Sequence, residues 1–236
     1  MRDERWSGHI FASLKRFVQK QSKQRWSQPD VSVDHEVLGS DYGGWPIALS
    51  GVGPDTVIYS FGAGYDISFD LAAAERFDCT VLVFDPTPKS VTWMSRQVLP
   101  DRVIFHPIGI DQADGDAVFH SPPNREHVSF AIRHTPAATG QYSVTARVMR
   151  LETIITHLEA APPDIVKLDI EGFEYRVIDD ILSGPLRPTQ MLVEFHHQKY
   201  GFHISDTAQS VNRLKRAGYR IFHVSGSGRE FGFIRQ

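Results

Sequence analysis

Residues 56–87, TVIYSFGAGYDISFDLAAAERFDCTVLVFDPT, read as strand, glycine turn, helix and strand. The first six are apolar and rich in β-branched side chains, and they stop at Gly62-Ala63-Gly64, as a buried parallel strand should. Asp66 is placed to cap the helix that follows, in which Ile67, Leu71, Ala74 and Phe77 recur at helical spacing. Residues 81–84 form a second buried strand ending on Asp85. An acid at that tip, about 20 residues past a glycine turn, suits the hydroxyl pair of a ribose. The plainer alternative is an Asp-Pro turn initiator. Glycine at the turn lets the backbone approach a ligand where a Cβ would collide.

The departures from a dinucleotide site narrow the ligand. A G-x-G-x-x-G fingerprint needs a third glycine, and Ile67 stands in its place. Asp66 also puts a carboxylate where a pyrophosphate requires bare backbone N–H groups. A nucleoside with a cationic end and no phosphate fits better, and S-adenosylmethionine carries both a sulfonium and an ammonium. The expected site is therefore one for a methyl donor.

Composition sets outer bounds. The 236 residues, 41% hydrophobic and 22% charged, suffice for one globular α/β domain with an ample core. A net charge of -3 gives no reason to expect nucleic acid as a partner. Cys79 is the only cysteine, which excludes an internal disulfide and points to a reducing compartment. No apolar run approaches the ~18 residues of a membrane span, and the N-terminus lacks the apolar core of a signal peptide. A cytoplasmic protein is the expectation.

Residues 1–50 read as an extension packed on a domain spanning 51–236. Within it, residues 1–28 suit an amphipathic helix with Ile10, Phe11, Leu14, Phe17 and Val18 on one face, and residues 39–46 a glycine-rich loop able to cover a ligand. After Pro86-Thr87-Pro88 a helix of about ten residues is expected, then a third strand over 103–110 interrupted by Pro107. Asp111 follows and could accept from an adenine amine or begin a turn. Residues 111–150 are too long for a simple connection and read as a β insertion on the substrate side of the sheet. A helix over 151–160 precedes the fourth strand, 165–170, which delivers Asp169 and Glu171 with Lys167 on one side of the pleat. The fifth strand, 191–197, puts Glu194 and His196 on one side and Phe195 and His197 on the other. Strands 219–224 and 230–235 are joined by five residues, which forces an antiparallel pair. The whole is a Rossmann-like, doubly wound, mostly parallel seven-stranded sheet with a C-terminal antiparallel hairpin.

Gly62-Ala63-Gly64, Phe84-Asp85-Pro86-Thr87-Pro88, the run Lys167-Leu168-Asp169-Ile170-Glu171-Gly172-Phe173-Glu174 and Val193-Glu194-Phe195-His196 together resemble the FkbM-type methyltransferases. The resemblance covers about residues 56–200. It implies a class I methyltransferase fold, S-adenosylmethionine as donor, and hydroxyl groups on sugars or natural products as acceptors. One departure matters: Ser60 stands where the family's first strand usually ends with an acid, and Asp66 or Asp70 could supply the missing charge.

The expected donor contacts are Gly62, Ala63, Gly64, Asp66, Asp85, Pro86, Thr87, Asp111 and Asp169, and the expected catalytic groups are Glu171, Glu194 and His196. For each of these the bland reading is a helix cap or a hydrogen-bonded packing residue. A divalent metal is possible but not expected, because carboxylates and histidine without cysteine select no one ion. The rival functions are a nicotinamide-dependent oxidoreductase and a non-catalytic nucleoside-binding module.

Overall fold

The computed structural model describes residues 26–120 and 143–236. The amphipathic helix expected over 1–28, apart from its last residues, and the middle of the β insertion lie outside them. Strands β1 (His35–Leu38) and β2 (Trp45–Ala48) pair as an antiparallel hairpin. The main sheet holds β3 (Val57–Phe61), β4 (Thr80–Phe84), β5 (Val103–His106), β9 (Ile165–Leu168), β10 (Gln190–Glu194), β11 (Tyr219–Val224) and β12 (Glu230–Arg235). Their order is β11-β12-β10-β9-β3-β4-β5. Pairing is parallel from β10 to β5, and β12 runs antiparallel between β10 and β11. This is the Rossmann-like arrangement with a terminal antiparallel hairpin that the strand pattern predicts.

Alternation along β3 builds two cores. Ile58 faces one side, with Phe69, Ala73 and Phe77 of helix α1 (Ser68–Phe77) and Ile47 of β2 in the same core. Tyr59 and Phe61 face the other. There they join Ile154 of α3 (Leu151–Leu158), Ile178 of α4 (Glu174–Ser183) and Leu214 of α5 (Ile204–Arg216). Burying these strands on both faces is what makes them continuous apolar runs.

Several elements differ from the sequence expectation. Trp45 and Pro46 belong to β2, not to a loop, because they pair with Leu38 and Val37 of β1, and the Gln190 amide fixes the far end of the strand: Ala48 N donates to Oε1 at 2.9 Å and Nε2 donates to Ala48 O at 2.8 Å. Helix α2 (Pro88–Met94) has seven residues instead of about ten, since beyond Met94 no apolar stripe continues and Val98 is 98% exposed. The third strand stops at His106, on the sheet edge, before Pro107. The chain then joins β6 (Gly109–Ile110), β7 (Gly115–His120) and β8 (Ser143–Met149) in a separate three-stranded sheet, which is the β insertion. The fifth strand ends at Glu194: Phe195 N still donates to Arg229 O, but His196 N is taken by the Glu174 side chain.

Candidate active site

A cleft of about 970 Å³ opens at the carboxyl ends of β3, β4, β9 and β10. Open parallel sheets bind ligands there because crossovers leave a crevice at the strand tips. The 41–46 segment lines one wall and Phe119 of β7 another. Phe119 stacks on Phe173 with 5.1 Å between ring centroids, which ties the insertion to the β9–α4 turn.

At one end of the cleft lies the glycine turn. Gly62 has φ +95, and a Cβ there would lie 1.9 Å from the Asp169 carbonyl oxygen, so its glycine is required by the neighbouring β9 tip. A Cβ at Gly64, which sits at φ +53, would meet nothing within 4 Å, so its Cα borders open space. Asp85 is 7% exposed and fastens two turns: Gly64 N donates to Oδ2 at 3.1 Å, and Thr87 N and Oγ1 donate to Oδ1 at 2.9 and 2.7 Å. The turn-initiating role and the position in the cleft thus coexist in one residue. Ala63, Pro86 and Thr87 line the same end.

Asp66 accepts from Ser68 N at 2.8 Å and Ser40 Oγ at 2.6 Å. It therefore caps α1 from one residue outside the nominal cap Ile67. Burial disfavours its charge, but these hydrogen bonds and the Lys167 charge outweigh that and lower its pKa. The 39–44 loop sits on it: a Cβ at Gly43 would lie 2.6 Å from Asp66 Cγ. Asp70 is buried beside Ser60, and burial raises its pKa despite the Lys167 charge. Of the two acids considered for the charge that Ser60 lacks, Asp66 is the one in the cleft.

Asp111 is not brought into the cleft. Its Oδ1 forms an ion pair with Arg176 Nε at 2.7 Å and accepts from Gln112 N at 2.6 Å, so the residue fastens α4 to the turn after β6.

The other end gathers Asp169, Glu171, Glu194 and His196. The His196 ring, 1% exposed, places Nε2 at 3.3 Å from Glu171, 3.6 Å from Glu194 and 3.8 Å from Asp169. Its Nδ1 lies 3.3 Å from Glu174 Oε1, which also accepts from His196 N at 2.8 Å. Burial alone would depress the His196 pKa, but the Glu174 hydrogen bond and the charges of Glu174, Glu171 and Glu194 push it up to about 9. Burial, then the Asp169 charge, pushes Glu194 up to about 8. Burial also raises Asp169, against the charges of Lys167 and His196. Glu171 sits at φ +51, a conformation that costs a non-glycine residue about 1–2 kcal/mol. Tyr200 Oη donates to its carboxylate.

Three residues packed into this end of the cleft or against it escaped the sequence reading as site members. Glu174 ends the K-x-D-x-E-G-x-E run but looks like an ordinary acid in a first helical turn; its complete burial is a tertiary property. Lys167 is buried, donates to Gly62 O at 3.1 Å and lies 5.0 Å from the Trp45 ring centroid. Tyr200 follows the fifth strand with no periodicity to flag it. His197 points away, towards Thr207 Oγ1 at 3.3 Å, as the alternation predicts.

Known proteins share parts of this chain. It is 27% identical over 177 residues to Probable methyltransferase-like protein 24 of Rattus norvegicus, covering 71% of this chain and 42% of that protein. The chain thus aligns to less than half the length of that relative. It is 20% identical over 183 residues to the hexuronic acid methyltransferase AglP of Haloferax volcanii, covering 77% of this chain and 70% of the relative. Among solved structures, the Methanococcus jannaschii fibrillarin pre-rRNA processing protein overlays with a TM-score of 0.45 at 10% identity, covering 78% of this chain and 67% of the other. Residues 60–221, which hold the glycine turn, Asp85 and the whole acid–histidine cluster, match the family model described as the methyltransferase FkbM domain, and the chain belongs to that family.

Proposed function

We propose that this chain is an S-adenosylmethionine-dependent methyltransferase acting on a hydroxyl of a small, sugar-like acceptor. The observation that carries this reading is a single cleft with a nucleoside-type end at Gly62–Gly64 and Asp85 and an acid–histidine end at Glu171, Glu194 and His196. Family membership supports methyl transfer, and the hexuronic acid named for the Haloferax relative supports a sugar acceptor.

The residues present fit the donor. Asp85 would hold the ribose hydroxyls, the bare Cα of Gly64 would leave room for the ligand, and Asp66 would receive the ammonium that Ser60 cannot. When bound, S-adenosylmethionine supplies a methyl group on a good leaving group. The chain's work is then alignment, which accounts for roughly 7–11 kcal/mol of such barriers. Glu171, Glu194 and His196, which line the same cleft, would face the acceptor hydroxyl as it loses its proton, for roughly 10²–10⁴-fold more.

Calorimetry with S-adenosylmethionine and NAD, followed by S-adenosylhomocysteine release across a panel of neutral and uronic sugars, tests the reading. Binding of the first ligand and turnover with a sugar are expected. Tight NAD binding with no response to S-adenosylmethionine would reverse it in favour of the oxidoreductase. Donor binding with no turnover on any acceptor would favour the non-catalytic module.

A further inference from the structure

The acid–histidine end of the cleft has the spacing of a cation site. One ligand atom each from Asp169, Glu171 and His196 lie within 4.8 Å of one another. Two atoms bound at about 2.1–2.3 Å to one ion, at angles near 90–110°, are themselves about 3.0–3.8 Å apart. The 3.3 Å and 3.8 Å separations of His196 Nε2 from Glu171 and Asp169 fall in that range.

The support behind the histidine points the same way. Glu174, fully buried, faces Nδ1 at 3.3 Å and anchors the His196 backbone. A carboxylate on one ring nitrogen fixes the tautomer that leaves the other nitrogen as a donor to metal. Nε2 is thereby aimed into the carboxylates from a ring that is 1% exposed. Tyr200, donating to Glu171, restrains one of the carboxylates from behind.

We propose that Asp169, Glu171 and His196 bind one divalent cation, and that Glu194, beside them, remains to act on the acceptor. Carboxylate oxygens suit Mg²⁺ and Mn²⁺ and imidazole suits borderline ions, so the mixed set favours a Mn²⁺-like cation. Three protein ligands leave positions open for the oxygens of an acceptor. That acceptor role rests on the methyl-transfer reading, whereas the cation site stands without it.

The test uses the full chain freed of metal by chelation and titrated with Mn²⁺, following the loss of the free-ion electron paramagnetic resonance signal. One saturable equivalent is expected in the wild type, weakened at least tenfold in Asp169→Asn and Glu171→Gln. Both carboxylates reach the cleft surface, so these variants should fold, which circular dichroism checks. Mn²⁺ should raise the unfolding temperature of the wild type only, since an ion binding the folded state alone stabilises it. No saturable binding up to millimolar Mn²⁺, or equal binding by the variants, overturns the proposal. Calorimetry with S-adenosylmethionine on the same samples separates the two ideas. Donor binding without Mn²⁺ binding removes the cation site alone; Mn²⁺ binding without donor binding leaves the site and overturns the methyl-transfer reading.

Discussion

Glu174 holds His196 at two points, accepting from its backbone N at 2.8 Å and facing its Nδ1 at 3.3 Å, while its other oxygen accepts from Gly172 N at 2.8 Å. One buried carboxylate therefore joins the β9–α4 turn to the end of β10. It sets the ring whose far nitrogen faces the cleft.

Glu174→Ala should consequently leave two backbone donors unsatisfied in the interior. Each such orphan costs about 1–3 kcal/mol. Urea unfolding should show a loss in that range or above, with Glu174→Gln recovering part of it. Wild-type stability in the alanine variant would show that the carboxylate supports nothing.

Asp85→Ala should weaken S-adenosylmethionine binding while the fold survives. Hydrogen bonds to a charged group are worth about 1.5–3 kcal/mol, or roughly ten- to a hundredfold in affinity. Calorimetry reads it, and an unchanged dissociation constant removes Asp85 from the donor site.

The two turn glycines should respond differently to alanine. Gly62→Ala drives a Cβ into the Asp169 carbonyl and must shift the β9 tip, so soluble expression or thermal stability should collapse. Gly64→Ala meets open space and pays only the left-handed conformation, about 1–2 kcal/mol. Its stability should fall modestly while donor affinity falls further, because the methyl group enters the cleft.

Glu194→Gln and His196→Ala should lower turnover by about 10²–10⁴-fold with donor affinity nearly constant. Apart from Asp169, the donor contacts that line the cleft lie at the tips of β3 and β4 and in the turns that follow them. Full activity in both variants would mark this strand end as packing alone.

Two half-buried histidines should contribute a loss of stability in mild acid. Burial, aided by His157 for His106 and by His35 for His223, lowers the pKa of both groups below 6.5, although Glu230 opposes this at His223. A lowered histidine pKa means the unfolded chain binds more protons than the folded one. The stabilisation is then complete above pH 6.5 and is lost as pH falls through the folded values. Glu194, pushed up to about 8, works the other way over the same range, so the test is the difference: His106→Gln should make the change in unfolding temperature from pH 7 to pH 5 more favourable than in the wild type. An unchanged slope would assign it to other groups.

Much of the fold is legible in the order of residue types. The runs 57–61, 80–84, 165–168 and 190–194 are apolar because both faces of a parallel strand are buried, and the five-residue link at 225–229 leaves only an antiparallel hairpin. The period of two also separates His196 from His197 before any coordinates are known. These are local consequences of backbone geometry, so local sequence carries them.

What tertiary structure alone decided is which polar groups meet. Asp111 and Asp85 both end apolar strands, yet one is drawn off by Arg176 on a helix 65 residues further along and the other borders the cleft. Asp66 and Asp70 sit one turn apart, but the 39–44 loop and the two serines keep the first charged at the cleft while burial raises the second. Glu174 becomes the support of His196 only because β9 and β10 are neighbours in the sheet. Spacing along the chain determined the strands, whereas ion pairing and desolvation act over a few ångströms between segments far apart in sequence, and only the folded chain brings those segments within that range.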